Sequence, residues 1–208
     1  SGGYRLRVHT RYKPAAFSAE AHNHSSDAIG RGILRLGLRL DNTLGLDETI
    51  SLEAATAQQA KELRYWRLGA DWPLGSEGVR LHGAASYLRS QPTPATTSVL
   101  NTTFKTDQYN LGLGYPLLRR TTVALDLNTD LRYASAREFE GNTLYSDERL
   151  WSLDAGIGFD HRPSDSIRNN GWLTLRQAIK GLGTRYDYHG SFTSRERSTD
   201  FTKLLLSL

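Results

Sequence analysis

Asp126, Asn128, Asp130 and Arg132 recur at every second position. On a strand that spacing puts all four side chains on one face. Such a ladder either meets passing ions and extended polar cargo, or braces a wet interior by cross-strand pairing; the bracing role is the commoner one. Arg35 and Arg39 alternate in the same way and are expected to pair with acids on neighbouring strands. An enzyme would need an Asp pair or a His–Asp pair placed to activate water. None of the 6 histidines sits in HExxH spacing, and no GxSxG elbow occurs. His22-Asn23-His24 is the one histidine cluster. Its i, i+2 spacing suits a metal, but a solvated strand end is the plainer reading. Gly112-x-Gly114 and Gly156-x-Gly158 fall within extended runs with no helix after them, so they are not dinucleotide loops. No catalytic residue, cofactor or metal site is assigned. Asn101-Thr102-Thr103 matches a glycosylation acceptor only by chance.

The elements that position these residues are strands. Leu34, Leu36, Leu38 and Leu40 alternate with Arg35, Gly37 and Arg39, giving one aliphatic face and one cationic or bare face. Similar alternation returns along the chain: Phe17–Asn23, Arg31–Asp41, Glu48–Thr56, Leu63–Leu74, Val79–Arg89, Lys105–Leu117, Thr121–Ser135, Arg149–Arg162, Gly171–Lys180 and Asp200–Leu208. These are about ten strands, preceded by an extended piece at Tyr4–Lys13 that Pro14 ends. Short turns alternate with polar loops, the loops expected at Ser90–Thr103, Ala136–Asp147 and up to Thr199. Runs this long exceed the ~5–6 residues of a soluble sandwich strand and suit the ~9–11 needed to cross a bilayer at a tilt. Tyr65, Trp66, Trp72, Tyr87, Tyr115, Tyr133, Trp151 and Trp172 lie mostly toward strand ends, as an aromatic girdle would.

Composition agrees. Mean hydropathy is −0.51, which a membrane barrel tolerates because half of each strand faces water. No apolar run is long enough for a transmembrane helix. With 0 cysteines there is neither a disulfide framework nor a thiolate metal site. The net charge of +4 is spread along the chain, which argues against nucleic acid as a partner. The chain has no Met and no leader, and it stops inside a strand-like run, so it reads as a fragment.

Five segments, in order, resemble one family. They are Arg39–Leu52 with its Asn42-x-x-Gly45-x-Asp47 turn, Tyr65–Gly78 with Pro73-Leu74-Gly75, and Gly114–Arg119 with Tyr115-Pro116-Leu117-x-Arg119. Leu144–Leu150 and Leu173–Gly183 complete the set. The chain resembles the TpsB family of two-partner secretion transporters, of the filamentous-haemagglutinin and haemolysin secretion/activation type, within the Omp85 superfamily. The resemblance implies an antiparallel transmembrane barrel of roughly sixteen strands in the bacterial outer membrane, behind two periplasmic POTRA domains. It implies type V secretion of a TpsA-type partner protein, with no nucleotide, metal or proton gradient. Of His22-Asn23-His24, only Asn23 matches the family's Asp-Asn pair, and the Val-Arg-Gly-Tyr plug-loop motif is missing.

On this reading residues 1–14 are the tail of a POTRA domain or a linker, and 15–208 are the N-terminal portion of the barrel. Arg35, Gly37, Arg39, Gly112, Gly114, Asp126, Asn128, Asp130, Arg132 and Asp154 are expected to line the pore. Outer-membrane lipid is expected against the leucine face. An open curved sheet or a barrel with a gap is expected. The competing readings are a complete small porin, a barrel enzyme, or a soluble β-rich binding module.

Overall fold

The computed structural model describes residues 13–23, 32–92, 102–164, 167–188 and 200–207. Its strands are β1 (Ala15–His22), β2 (Ile33–Asp41), β3 (Thr49–Ala57), β4 (Leu63–Leu74), β5 (Val79–Ser90) and β6 (Thr102–Arg119). They continue as β7 (Val123–Glu140), β8 (Thr143–Ser164), β9 (Ile167–Ala178), β10 (Arg185–Tyr188) and β11 (Thr202–Ser207). All pair antiparallel in one sheet, in the order β1 through β9 and then β11, while β10 pairs with β8. Among the described strands β1 and β11 form its two ends, so the sheet is the open one expected.

Burial in this sheet is inverted. Ala55, Ala57 and Ala178 are the only buried hydrophobic residues among those described, whereas Glu48, Glu62, Thr103, Ser135, Asp147, Ser152 and Asp154 are all buried. Leu36, Leu52, Leu68, Leu111, Leu131 and Leu153 stay exposed. Residues directly opposite each other across a ladder share a face. Leu38 faces Leu52, which faces Leu68. Leu111 faces Leu131, which faces Leu153. Buried carboxylates and leucines exposed in a continuous field are the pattern that an apolar environment on that side produces.

The strands separate two ends. At one end lie the turns 42–48, 75–78 and 120–122, with the end of β8 and the start of β9; at the other lie 58–62, 141–142 and 179–184, with the ends of β1 and β5 and the starts of β2 and β6. The asymmetry usual in outer-membrane barrels leads us to expect the first end on the periplasmic side and the second on the outer side, and the two ends are named accordingly.

The 42–48 turn shows why these short connections hold. Gly45 has φ 76°, and Asn42 and Asp47 adopt φ 50° and 55°, a region open to Gly and tolerated by Asn and Asp. Asp47 N donates to Asn42 Oδ1 at 2.9 Å. Glu48, 1% exposed, accepts from Leu44 N at 2.7 Å, Leu46 N at 3.1 Å and Thr43 Oγ1 at 3.1 Å. Burial works to raise the Glu48 pKa, but the donors of Leu44, Glu48 itself, Leu46 and Thr43 outweigh it, holding the carboxyl below the usual range. A depressed folded pKa means the stabilisation is complete above the ordinary glutamate pKa and is lost as pH falls through the folded value. Amide exchange at Leu44 and Leu46 should therefore be slow at neutral pH and accelerate only in stronger acid. Glu48→Gln should remove that acid dependence.

Several expectations are corrected. Ala136–Asp147 is no loop: β7 and β8 continue through it to a tight turn at Gly141 and Asn142. The segment expected as loop after β9 contains β10, which continues the pairing of β8 after a six-residue excursion at 179–184. There Thr184 Oγ1 donates to Ile179 O at 2.8 Å and accepts from Trp151 N at 3.2 Å, closing the excursion. Most of Tyr4–Lys13, with most of the proposed 1–14 segment, lies outside the described residues, as does His24.

Candidate functional site: the polar face of the sheet

All ten residues expected to line a pore fall on the face opposite the leucines. Arg35, Gly37 and Arg39 oppose Ala55, Glu53 and Ser51. Gly112, Gly114 and Pro116 oppose Asp130, Asn128 and Asp126, and Asp130 opposes Asp154. A hollow of about 360 Å³ lies on this face, lined by Arg67, Ser86, Gln108, Asn110, Arg132 and Arg176 among others.

Many of the charges are paired, mostly across strands. Asp154 is 3% exposed. It accepts from Arg176 Nε and Nη2, each at 2.8 Å, and lies 2.9 Å from Arg132 Nε. Asp130 accepts from Asn110 Nδ2 at 3.2 Å and lies 3.0 Å from His82 Nε2. Toward the periplasmic end Arg119 Nη1 donates to Asp126 at 3.0 Å. Arg39 pairs with Asp41 of its own strand at 2.9 Å, not with a neighbouring strand. Arg35, which has Glu20 opposite it on β1, makes no ion pair among the described residues. His82, Asn110 and Arg176 were not foreseen as site residues. Each had a signal: His82 stands between Leu81 and Gly83, Asn110 between Tyr109 and Leu111, and Arg176 two positions beyond Thr174 on the face opposite Leu173 and Leu175.

The glycines of this face make room for those pairs. A Cβ on Gly112 would collide with the Thr129 carbonyl and stand 2.5 Å from His82 Nε2 and 2.7 Å from Asp130 Oδ1. A Cβ on Gly114 would meet chiefly the movable Asn128 side chain, at 2.9 Å. Gly112→Ala is thus expected to destabilise the fold by about 1–3 kcal/mol through overpacking against backbone. Gly114→Ala is expected to cost under about 1 kcal/mol because its neighbour can turn away. Thermal midpoints of the folded, heat-modifiable form would show the difference.

Two aromatics expected in the girdle belong here instead. Tyr65 lies opposite Ala55 and Leu88, and Trp172 lies opposite Gly158. Trp172 lies over that glycine, whose added Cβ would stand 2.6 Å from its ring. Of the rest, Trp66, Tyr87, Tyr133 and Trp151 form a band on the apolar face toward one end, and Trp72 and Tyr115 lie on that face toward the other. Trp66 stacks on Tyr87 at 6.3 Å, Tyr109 on Tyr133 at 6.0 Å, and Tyr133 meets Trp151 at 4.9 Å. No group of three or more His, Cys, Asp and Glu suited to a metal exists among the described residues.

The profile of the family described as "Haemolysin secretion/activation protein ShlB/FhaC/HecB" matches residues 4–208. Among solved structures, CdiB from Escherichia coli superposes with TM-score 0.81 at 18% identity, over 95% of this chain and 37% of its own. CdiB from Acinetobacter baumannii gives 0.57 at 15% identity, over 79% and 31%. BamA from Haemophilus ducreyi lacking POTRA domains 1-3 gives 0.53 at 14% identity, over 82% and 35%. These likenesses are of fold, and the chain spans about a third of each of these proteins. No curated protein matches the chain.

Proposed function

The chain belongs to the haemolysin secretion/activation family, and from that premise we propose that its sheet is part of the wall of an outer-membrane pore that secretes a partner protein. The observation that carries this is the separation of the faces: leucines and aromatics on one side, paired charges and a hollow on the other, through successive strands. The apolar face meets outer-membrane lipid. The polar face, including Arg35, Gly37, Arg39, Gly112, Gly114, Asp126, Asn128, Asp130, Arg132 and Asp154, borders the path of an extended TpsA-type chain. A wall in which Asp126 and Asp154 are already held by arginines, and Asp130 by His82 and Asn110, offers fewer unpaired charges to grip, which suits a passage for many different sequences. Residues 15–208 are the first part of the barrel, and Tyr4–Pro14 is the end of the domain before it. The chemistry is transport rather than catalysis.

Single cysteines in the full-length transporter test this. Ser86→Cys and Gln108→Cys, on the hollow, should crosslink to a cysteine in a partner chain stalled during secretion. Leu113→Cys, on the apolar face, should not crosslink. Crosslinks from Leu113→Cys with none from the hollow would refute the proposal.

A further inference from the structure

Directly outward of the aromatic band the apolar face changes character. Arg64 lies opposite Arg89, and Arg89 lies opposite Lys105. Lys105 in turn lies opposite Arg137. Four cations thus stand in direct cross-strand register on β4 to β7, with Cβ atoms about 5 Å apart, an arrangement that is destabilising in itself. Only part of this charge is answered within the chain. Arg137 Nη2 donates to Asp107 at 2.6 Å, and farther along Arg149 and Arg185 share Asp147 at 3.0 and 2.8 Å. Lys105 rests over the Phe139 ring at 4.4 Å. Arg64 Nε donates to the Ala60 carbonyl at 2.8 Å, which leaves its charge unpaired. Arg89 makes no ion pair among the described residues, and its Nε is buried without a hydrogen-bond partner. Glu62, the nearest carboxylate in sequence, is 4% exposed and has a contact of its own.

We propose that Arg64, Arg89 and Lys105 bind the phosphate of a phosphorylated glycolipid in the outer leaflet. Three features select a lipid over another anion. The cations share a face with the lipid-exposed leucines. Trp66 and Tyr87 lie one step inward, at the level where aromatic rings meet headgroups. The row lies toward the outer end, where the anionic headgroups of that leaflet lie. Guanidinium pairs match phosphate geometry. This inference rests on the proposed reading that the apolar face is lipid-facing and that the row lies at its outer end, but not on what passes through the pore.

The test uses the full-length transporter, delipidated in detergent, with a diphosphorylated acylated glucosamine disaccharide, its dephosphorylated form, and inorganic phosphate as probes, read by native mass spectrometry. Each surface cation contributes about fivefold to binding. The triple variant Arg64→Gln, Arg89→Gln, Lys105→Gln is therefore expected to bind the phosphorylated lipid on the order of a hundredfold more weakly. The dephosphorylated lipid should bind wild type as weakly as the phosphorylated lipid binds the variant. Partner secretion should continue, because these residues lie off the pore face. Equal binding of both lipid forms by wild type would overturn the proposal, even if the variant failed to fold. Equal binding of phosphorylated lipid by wild type and folded variant would also overturn it. Displacement of the lipid by equimolar inorganic phosphate would reduce the site to a free-anion site and so refute the lipid assignment.

Discussion

Asp154→Ala is expected to lower the stability of the barrel wall by about 2–3 kcal/mol, toward the lower end of what breaking a buried pair costs. Its side chain is 4% exposed, whereas those of Arg132 and Arg176 are 46% and 28% exposed. Water can therefore reach the orphaned guanidiniums in part, which limits the loss. The remaining cost is real because two N–H groups of Arg176 lose their acceptor and Arg132 loses its counter-ion together. Asp130, directly opposite, would then draw the freed arginines away from their present positions. Asp154→Asn, which keeps an acceptor of similar shape, should fall between wild type and the alanine variant. Removing all three charges together, with Arg132→Gln and Arg176→Gln added, should recover part of the loss, since no unpaired charge stays behind. The temperature at which the folded species is lost on a heat-modifiability gel measures each step. An alanine variant as stable as wild type would show that the network is solvated rather than structural.

Leu113→Arg should cost about 2–4 kcal/mol, the penalty for a cation near the bilayer midplane on the lipid side of a barrel. Leu113 lies between Leu81 and Thr129, about midway between the periplasmic turn and the aromatic band, and is 47% exposed. In water an exposed leucine changed to arginine would cost almost nothing. The same change on the other face, Gln108→Arg, should cost less than about 0.5 kcal/mol because the new charge enters the aqueous hollow. Folding yields into bilayers of defined composition, compared across a urea series, would report both values. Similar costs at the two positions would contradict the assignment of faces.

The sequence showed the faces and not the partners. Alternation across Leu34–Leu40 or Val123–Tyr133 is unambiguous because lipid and water impose opposite demands on adjacent residues. Ala136–Asp147 lost that signal because it rises beyond the aromatic band, where both faces are wet and polar residues serve on either. The turn at Gly141-Asn142 was the remaining clue. Asp126, Asn128, Asp130 and Arg132 read as one ladder, yet Asp126 pairs with Arg119 on β6, Asp130 with His82 on β5, and Arg132 with Asp154 on β8. Those pairings depend on register, which alternation along one strand does not encode. For Tyr65 and Trp172 parity along the strand, rather than residue type or nearness to a strand end, decides the face. Arg39 meets Asp41, two residues along the same face, before any acid on a neighbouring strand.

The β7–β8 hairpin has a consequence for timing. From Tyr133 and Trp151 it climbs to Glu140 and Thr143, roughly 25 Å along the strands at 3.4 Å per residue. Under the proposed function, a segment of cargo that has already cleared the lipid would still travel beside a wall for the length of about seven extended residues. On that flank, release from the channel lags release from the membrane. The first stretch to fold outside would then do so next to Ala136 and Glu138 rather than in open water.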